Sequence, residues 1–329
     1  VSDFIDEAPE TAVERLSELM AEAKAYQGEA ATKAKPTLID GIIEAEDFAR
    51  LNLPAPTTYL HPIVTDRKII LVSGYRGVGK TWAGLSIVDS ITRGISWGPW
   101  PAVTPAVCFY LDGEMPCQDI QARIRGLNPA GERRAPLYLY SDAYASTLGL
   151  PRASILNPQW RGEMQKILLD REVRVFVIDN LSSLTGGLDE NSKQEWDPIN
   201  QWLIGLRFAG ITTIMLHHVG KGGQQRGTSA REDNIDLSIV LKQPADYEAD
   251  QGADFTLSIT KSRVGIDDLG TLRDVHFTLV AGQGGALTWS WQWAKAERRS
   301  EILALLDAGE SVTEIAALVG VSKQYVSKV

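Results

Sequence analysis

The chain has 329 residues, enough for one large domain and a small appendage, and its 44% apolar and 23% charged residues are an ordinary soluble globular balance. No apolar run approaches the roughly 18 residues of a membrane helix, and the acidic start lacks the basic-then-apolar pattern of a signal peptide. A net charge of −9 argues against a surface coated in basic charge for wrapping nucleic acid, but leaves room for a focused basic patch. The only cysteines, Cys108 and Cys117, give no disulfide framework and no metal-ligand cluster, which fits a reducing, cytoplasmic setting with no membrane partner. The first residue is Val, which leaves room for a preceding segment.

Residues 10–27 read as an amphipathic helix, with Val13, Leu16, Leu19, Met20 and Ala23 on one side. A polar connector over 29–36 separates it from the body. From Ile69 onward, short β runs alternate with helical stretches. The β runs cover 69–73, 106–111, 137–140, 173–178 and 211–216, and the helices 80–93, 116–125, 158–170 and 192–208. Strands that are apolar throughout, alternating with helices, predict a parallel sheet covered on both faces. After Leu216 the helices stop. Residues 235–241, 255–261, 275–279 and 287–293 then read as strands joined by turns, with Gly282-Gln-Gly-Gly285 at a hairpin. Trp289, Trp291 and Trp293 fall on one strand face, where packing in the hairpin core is expected rather than base stacking.

The chemistry gathers at strand ends. Gly74-Tyr75-Arg76-Gly77-Val78-Gly79-Lys80-Thr81 follows an apolar strand and opens a helix. That context makes it a phosphate-binding loop for ATP. Its glycines let backbone N–H groups close round the phosphates, and the helix N-terminus favours anions. Lys80 neutralises the β and γ phosphates, and Thr81 offers a hydroxyl to Mg²⁺. Trp82, next on the helix, completes the expected nucleotide-binding set. Asp179 ends a buried parallel strand, where such sheets bind ligands, and is the expected Mg²⁺-organising carboxylate. Another strand runs into Asp112-Gly-Glu114-Met-Pro116. Glu114 is the expected general base because its longer side chain reaches over a γ-phosphate more easily; Asp112 is the alternative. A further strand ends in His217-His218. Successive side chains on an extended backbone point opposite ways, so one histidine faces the nucleotide, and His218 is chosen.

These signals, in this order, resemble the RecA-like ATPases, and among them the hexameric helicases of RepA and DnaB type. The matching pieces are GYRGVGKT, YLDGEMP, VFVIDNLSSL, LHHVGK, RGTSAREDNID and TKSRVG, spanning roughly Lys68 to Trp293. LHHVGK with RGTSA looks specifically RepA-like. The resemblance implies Glu114 as catalytic base and His218 as γ-phosphate sensor. It also implies a homo-oligomer, expected to be a hexamer, with ATP between subunits. TKSRVG resembles the segment that donates basic residues to a neighbour's ATP in DnaB-type enzymes, which points to Lys261 and Arg263. RepA-like chains tend to carry their basic residue soon after Asp-Asn-Ile, where this chain has Asp236; Arg231 is an alternative finger.

Two further segments point to DNA. The glycine-rich stretch after His218 carries Lys221, Arg226 and Arg231 and no acidic residue, and in the RecA-like group the loop at this place faces single-stranded DNA. The segment 186–191 is a second candidate channel loop, weakened by its acidic residues. At the C-terminal end, 297–308 reads as a helix. Ser311-Val-Thr-Glu314 is a capping box opening a second helix, and Ser322 caps a third. This resembles a bacterial helix-turn-helix whose recognition helix presents Lys323, Gln324, Tyr325 and Lys328 to duplex DNA. The chain ends inside that helix, which leaves room for residues beyond Val329. The expected architecture is α/β: a helical N-terminal extension and linker over 1–60, a RecA-like core over 61–295, and a small all-α module over 296–329. The expected function is a DNA-dependent ATPase of helicase or translocase type. The alternatives are a DNA-binding regulator that uses ATP as an assembly switch, and a recombinase-like filament.

Overall fold

The structure is a computed structural model that describes residues 37–188, 192–219, 234–244, 247, 252–263, 272–319 and 321–329. The helix expected over 10–27 and the loop residues Lys221, Arg226 and Arg231 lie outside these. Two compact units are present, Val1–Ala55 and Pro56–Val329. The first holds a 3-10 turn, Leu38–Gly41, and a short helix, Ala45–Ala49. Its turn is fixed by Asp40, whose carboxylate accepts from the Thr37 amide at 2.7 Å and the Thr37 hydroxyl at 2.8 Å.

The second unit begins five residues before the boundary expected at 61. Its first strands, β1 (Thr58–Leu60) and β2 (Val64–Thr65), form a small antiparallel pair. Leu60 and Val64 are buried in the main core. The large sheet is built from β3 (Ile69–Gly74), β4 (Cys108–Asp112), β5 (Leu137–Ser141), β6 (Val175–Asp179), β7 (Thr212–His218), β8 (Leu237–Lys242), β9 (Asp254–Ser262), β10 (Val275–Ala281) and β11 (Leu287–Trp293). Their order across the sheet is β11-β10-β9-β8-β3-β7-β6-β4-β5. From β8 to β5 every pairing is parallel, and from β8 to β11 every pairing is antiparallel. The parallel core with an antiparallel extension is the arrangement the sequence predicts.

Period-two alternation sorts the β3 side chains between two cores. Ile70 and Val72 face the helices Lys80–Arg93 and Cys117–Leu127. Ile69 and Leu71 face the helices Pro158–Asp170 and Lys193–Phe208. The helix Lys80–Arg93 is bounded by two left-handed glycines, Gly79 at φ 105° and Gly94 at φ 70°, positions that cost an L-residue steric strain. The extension braces the phosphate loop from behind. Phe255 of β9 lies so close that a Cβ on Gly79 would sit 3.0 Å from its ring. Phe255 belongs to an aromatic cluster in which Trp97 stacks on Phe277 at 4.6 Å and Trp289 meets Phe255 edge-on at 5.5 Å. Trp289 thus packs in the core as expected. Trp291 remains partly exposed, edge-on to Trp293.

The C-terminal helices are Ala294–Asp307, Val312–Leu318 and Lys323–Val326. They close over a core of their own, Ile302, Ile315, Ala316 and Val326. Both expected caps are formed: Ser311 and Glu314 make a reciprocal capping box, and Ser322 accepts from the Tyr325 amide.

Candidate functional site

Strand register brings the expected nucleotide residues to one edge of the sheet. Gly74 at the end of β3 is level with His218 at the end of β7, and Asp112 of β4 is level with Asp179 of β6. Because β7 separates β3 from β6, and β4 follows β6, the phosphate loop, His218, Asp179 and the turn carrying Glu114 come in that order along the edge. They line a cavity of about 560 Å³, together with Arg76, Gly77, Gly79, Thr81 and Trp82.

The loop is wound round its own lysine. Lys80 is buried, and its ammonium donates to the carbonyls of Gly74 at 2.9 Å and Tyr75 at 2.6 Å. Burial lowers its pKa to about 8, while the charges of Asp179 and Glu114 oppose the shift. Gly74 admits no side chain: a Cβ there would lie 2.8 Å from the Leu241 carbonyl. Tyr75, Arg76 and Gly77 are exposed at the tip of the loop, whereas the Val78 side chain turns into the core.

Asp179 is buried, and burial raises its pKa, opposed by hydrogen bonds from Tyr110 and Thr81. The Tyr110 hydroxyl donates to Asp179 Oδ2 at 2.6 Å. Thr81 and Asp179 therefore adjoin, a hydroxyl beside a carboxylate. Mg²⁺ keeps most of its waters and takes one or two protein oxygens beside the phosphates, so this donor pair fits it. Among the described residues no cluster of three or more His, Cys, Asp or Glu suits a metal bound by protein alone.

Glu114 and His218 meet across the cavity, with His218 Nε2 3.7 Å from Glu114 Oε2. Burial lowers the His218 pKa, and the charge of Lys80 adds to the effect while Glu114 opposes it. His217 is buried and does not line the cavity, so the two histidines part as strand alternation predicts. Asp112 is fully buried, and its Oδ1 accepts from the amides of Met115 at 3.2 Å and Glu114 at 3.4 Å. Burial pushes its pKa up to about 6. Its carboxylate thus faces the turn that carries Glu114, and it is Glu114 that reaches the cavity.

Several lining residues were not singled out from the sequence. Asn180 donates its amide to Glu114 Oε2. The Arg123 guanidinium lies 4.7 Å from the Trp82 ring centroid, and Met115, Pro116, Tyr247, Gly252 and Ala253 complete the wall. Asn180 follows directly on Asp179, and Tyr110 shares a strand face with Asp112, so both had a positional signal. Arg123 had none.

Lys261 and Arg263 lie elsewhere. Arg263 is 3.6 Å from Asp236, which also pairs with Arg207 at 2.6 Å and accepts from the Ile69 amide at 2.9 Å. Ile69 begins β3 and Gly74 ends it, so Arg263 flanks the sheet edge opposite the phosphate loop, whereas Lys261, opposite Ser238 and thus level with Leu71, lies further along the sheet. In the C-terminal module, Lys323, Gln324 and Lys328 are exposed. Tyr325 is half-buried against the small core.

Residues 293–329 match the model of a Homeodomain-like domain, and the module is a helix-turn-helix. Among solved structures, a KaiC-like protein from the hyperthermophilic archaeon Pyrococcus horikoshii OT3 is similar over 70% of this chain and 93% of its own, at 16% identity and a TM-score of 0.49. No curated protein matches the chain in sequence. Among the described residues no helix is long and apolar enough to cross a membrane. With its phosphate loop, strand order and matched region 29–224, the chain belongs to the AAA domain family, as a RecA-like P-loop ATPase with a C-terminal helix-turn-helix.

Proposed function

We propose that this chain hydrolyses ATP with Mg²⁺ and uses the reaction to move on single-stranded DNA, as a ring-forming helicase or translocase of RepA/DnaB type. The observation that carries the reading is the meeting of Lys80, Thr81, Asp179, Glu114 and His218 in one cavity at one sheet edge. In this reading Lys80 and the amides of residues 74–82 bind the phosphates. Thr81 and Asp179 would hold Mg²⁺, which would neutralise phosphate charge. Glu114 takes a proton from the attacking water as the new bond forms at the γ-phosphorus. The bond to the bridging oxygen breaks, and its electron pair leaves with ADP. His218 senses the γ-phosphate.

The remaining charge comes from a neighbour. Arg263 flanks the far edge of the sheet from its own phosphate loop, separated by the length of β3, about 17 Å at the usual strand rise, and Lys261 lies two residues before it, within β9. A finger so placed serves another subunit's ATP, which makes a homo-oligomer, a hexamer in this reading, part of the active site. Lys221, Arg226 and Arg231 contact single-stranded DNA in the channel. Lys323, Gln324, Tyr325 and Lys328 add duplex affinity.

A second reading is a DNA-binding regulator that uses ATP as an assembly switch. It is favoured by the match of the C-terminal module to a Homeodomain-like domain. The deciding experiment is ATP turnover with and without single-stranded DNA, paired with oligomer size and strand separation. A motor gives closed rings, DNA-stimulated turnover and unwinding. Slow turnover indifferent to single-stranded DNA, with sequence-specific duplex binding, overturns the motor reading in favour of the switch.

A further inference from the structure

Glu114 is long, its side chain is 60% exposed, and it must stand over one reacting atom to act as a base. Two features converge on it from the short helix Leu181–Leu184. The first is a hydrogen bond, with Asn180 donating through Nδ2 to Glu114 Oε2. Asn180 is itself buried and held. Its Oδ1 accepts from the Ser183 amide at 3.1 Å, and the Ser183 hydroxyl donates to the Asn180 carbonyl at 3.0 Å. The second is packing. The turn before Glu114 lies against the same helix so closely that a Cβ on Gly113 would sit 2.7 Å from Leu184 Cδ2 and 2.9 Å from Ser183 Oγ. The Gly113 amide also donates to the Asp179 carbonyl at 2.7 Å. Backbone and side chain of the Glu114 turn are thus both referred to the segment 179–184.

We infer that Asn180 is a positioning residue for ATP hydrolysis: its amide fixes one oxygen of the Glu114 carboxylate so that the other is aimed at the attacking water. The inference rests on Glu114 as the general base. Asn180 touches no reacting atom and exchanges no proton. Its contribution is orientation, and displacement of a reacting group by about 1 Å can cost up to about 10²-fold in rate.

Asn180 also caps the helix Leu181–Leu184, so a loss of activity on substitution has to be separated from loss of a cap. Asp caps a helix as well as Asn does, but it replaces the Nδ2 donor with an oxygen facing the Glu114 carboxylate. Asn180→Asp therefore keeps the cap and removes the hold, whereas Asn180→Ala removes both. The expected result is a fall in kcat of about tenfold or more in both variants, with KM for ATP little changed and Asp no better than Ala. In a Glu114→Gln background neither substitution should slow turnover further, because the group being positioned is already gone. Wild-type kcat in a folded Asn180→Asp protein would mean that Asn180 is only a cap, and so would losses that multiply in the Glu114→Gln background. Near-normal turnover in Glu114→Gln alone removes the base itself and this inference with it. That outcome differs from a collapsed Glu114→Gln beside an unimpaired Asn180→Asp, which overturns the positioning role only.

Discussion

Mixing two inactive variants tests whether the ATP site is shared between subunits. Arg263 is tied to the beginning of β3: its amide donates to the Asp236 carbonyl at 2.9 Å, and the Asp236 amide donates to the Ile69 carbonyl at 2.8 Å. The phosphate loop starts at the other end of that strand, about 17 Å away at a rise of roughly 3.3 Å per residue. An arginine side chain does not span that gap, so Arg263→Ala can affect hydrolysis only through a neighbour's site or through loss of its contact with Asp236. A finger contributes about 10³-fold or more to turnover, so Arg263→Ala alone should be nearly inactive. Lys80→Ala should be nearly inactive too. At equal amounts of the two chains, about one interface in four joins an intact phosphate loop to an intact Arg263, and only those sites should turn over. Single-turnover hydrolysis with ATP below the site concentration reads each interface separately, so coupling round a ring does not mask the rescue. Subunit exchange is verified by co-purifying two differently tagged chains. Verified mixed oligomers with no recovery at any ratio refute a trans-acting Arg263. If its part is only to steady Asp236, which Arg207 also holds at 2.6 Å, Arg263→Ala should lower thermal stability and leave most of the turnover.

Two further outcomes follow from the site and from the C-terminal module. Burial brings the Lys80 pKa down to about 8, and phosphates beside the ammonium raise it again. ATP binding near and above pH 8 should therefore take up a proton, and affinity should weaken by up to about tenfold per pH unit above it. Calorimetry in two buffers of different ionisation enthalpy checks this, and buffer-independent heats with flat affinity from pH 7 to about 9.5 would contradict it. Ending the chain after Lys295 removes the small core of Ile302, Ile315, Ala316 and Val326. A folded ATPase with weaker duplex binding is the expected result, and loss of hydrolysis would make the module a structural part of the enzyme.

The sequence was most legible where phosphate chemistry limits the choices. The loop from Gly74 to Thr81 needs glycines, a lysine and a hydroxyl at fixed spacing, and the helix Lys80–Arg93 begins and ends where its flanking glycines place it. The helix Pro158–Asp170 and the strand Leu287–Trp293 also coincide with the expected spans. β6 and β7 run further than hydrophobicity suggests, because Asp179, His217 and His218 are polar yet still belong to their strands. An apolar pattern stops at the first polar residue, whereas a sheet continues while backbone partners remain. Two of those extra residues, Asp179 and His218, line the cavity. The short helices Asp142–Thr147 and Leu181–Leu184 went unread, since one or two turns are too few to show a period. Asn180 was overlooked for a different reason: its contact with Glu114 comes from a turn, Gly113–Glu114, that approaches it from a strand more than sixty residues earlier. The opposed placement of Arg263 and the phosphate loop depends on β9 returning antiparallel along β8, which strand patterns alone do not fix.

The account stands most directly on the division of labour between Lys80 and Glu114, which a paired measurement of ATP binding and hydrolysis resolves. Lys80 donates to two carbonyls of the loop and Glu114 lines the same cavity; in the proposed function the first serves the bound phosphates and the second acts on water. Glu114→Gln should bind ATP about as well as the unaltered chain and hydrolyse it slower by about 10²-fold or more, while Lys80→Ala should lose binding itself. Near-normal turnover in Glu114→Gln would contradict the account, remove Glu114 from the mechanism, and pass the role of base to Asp112.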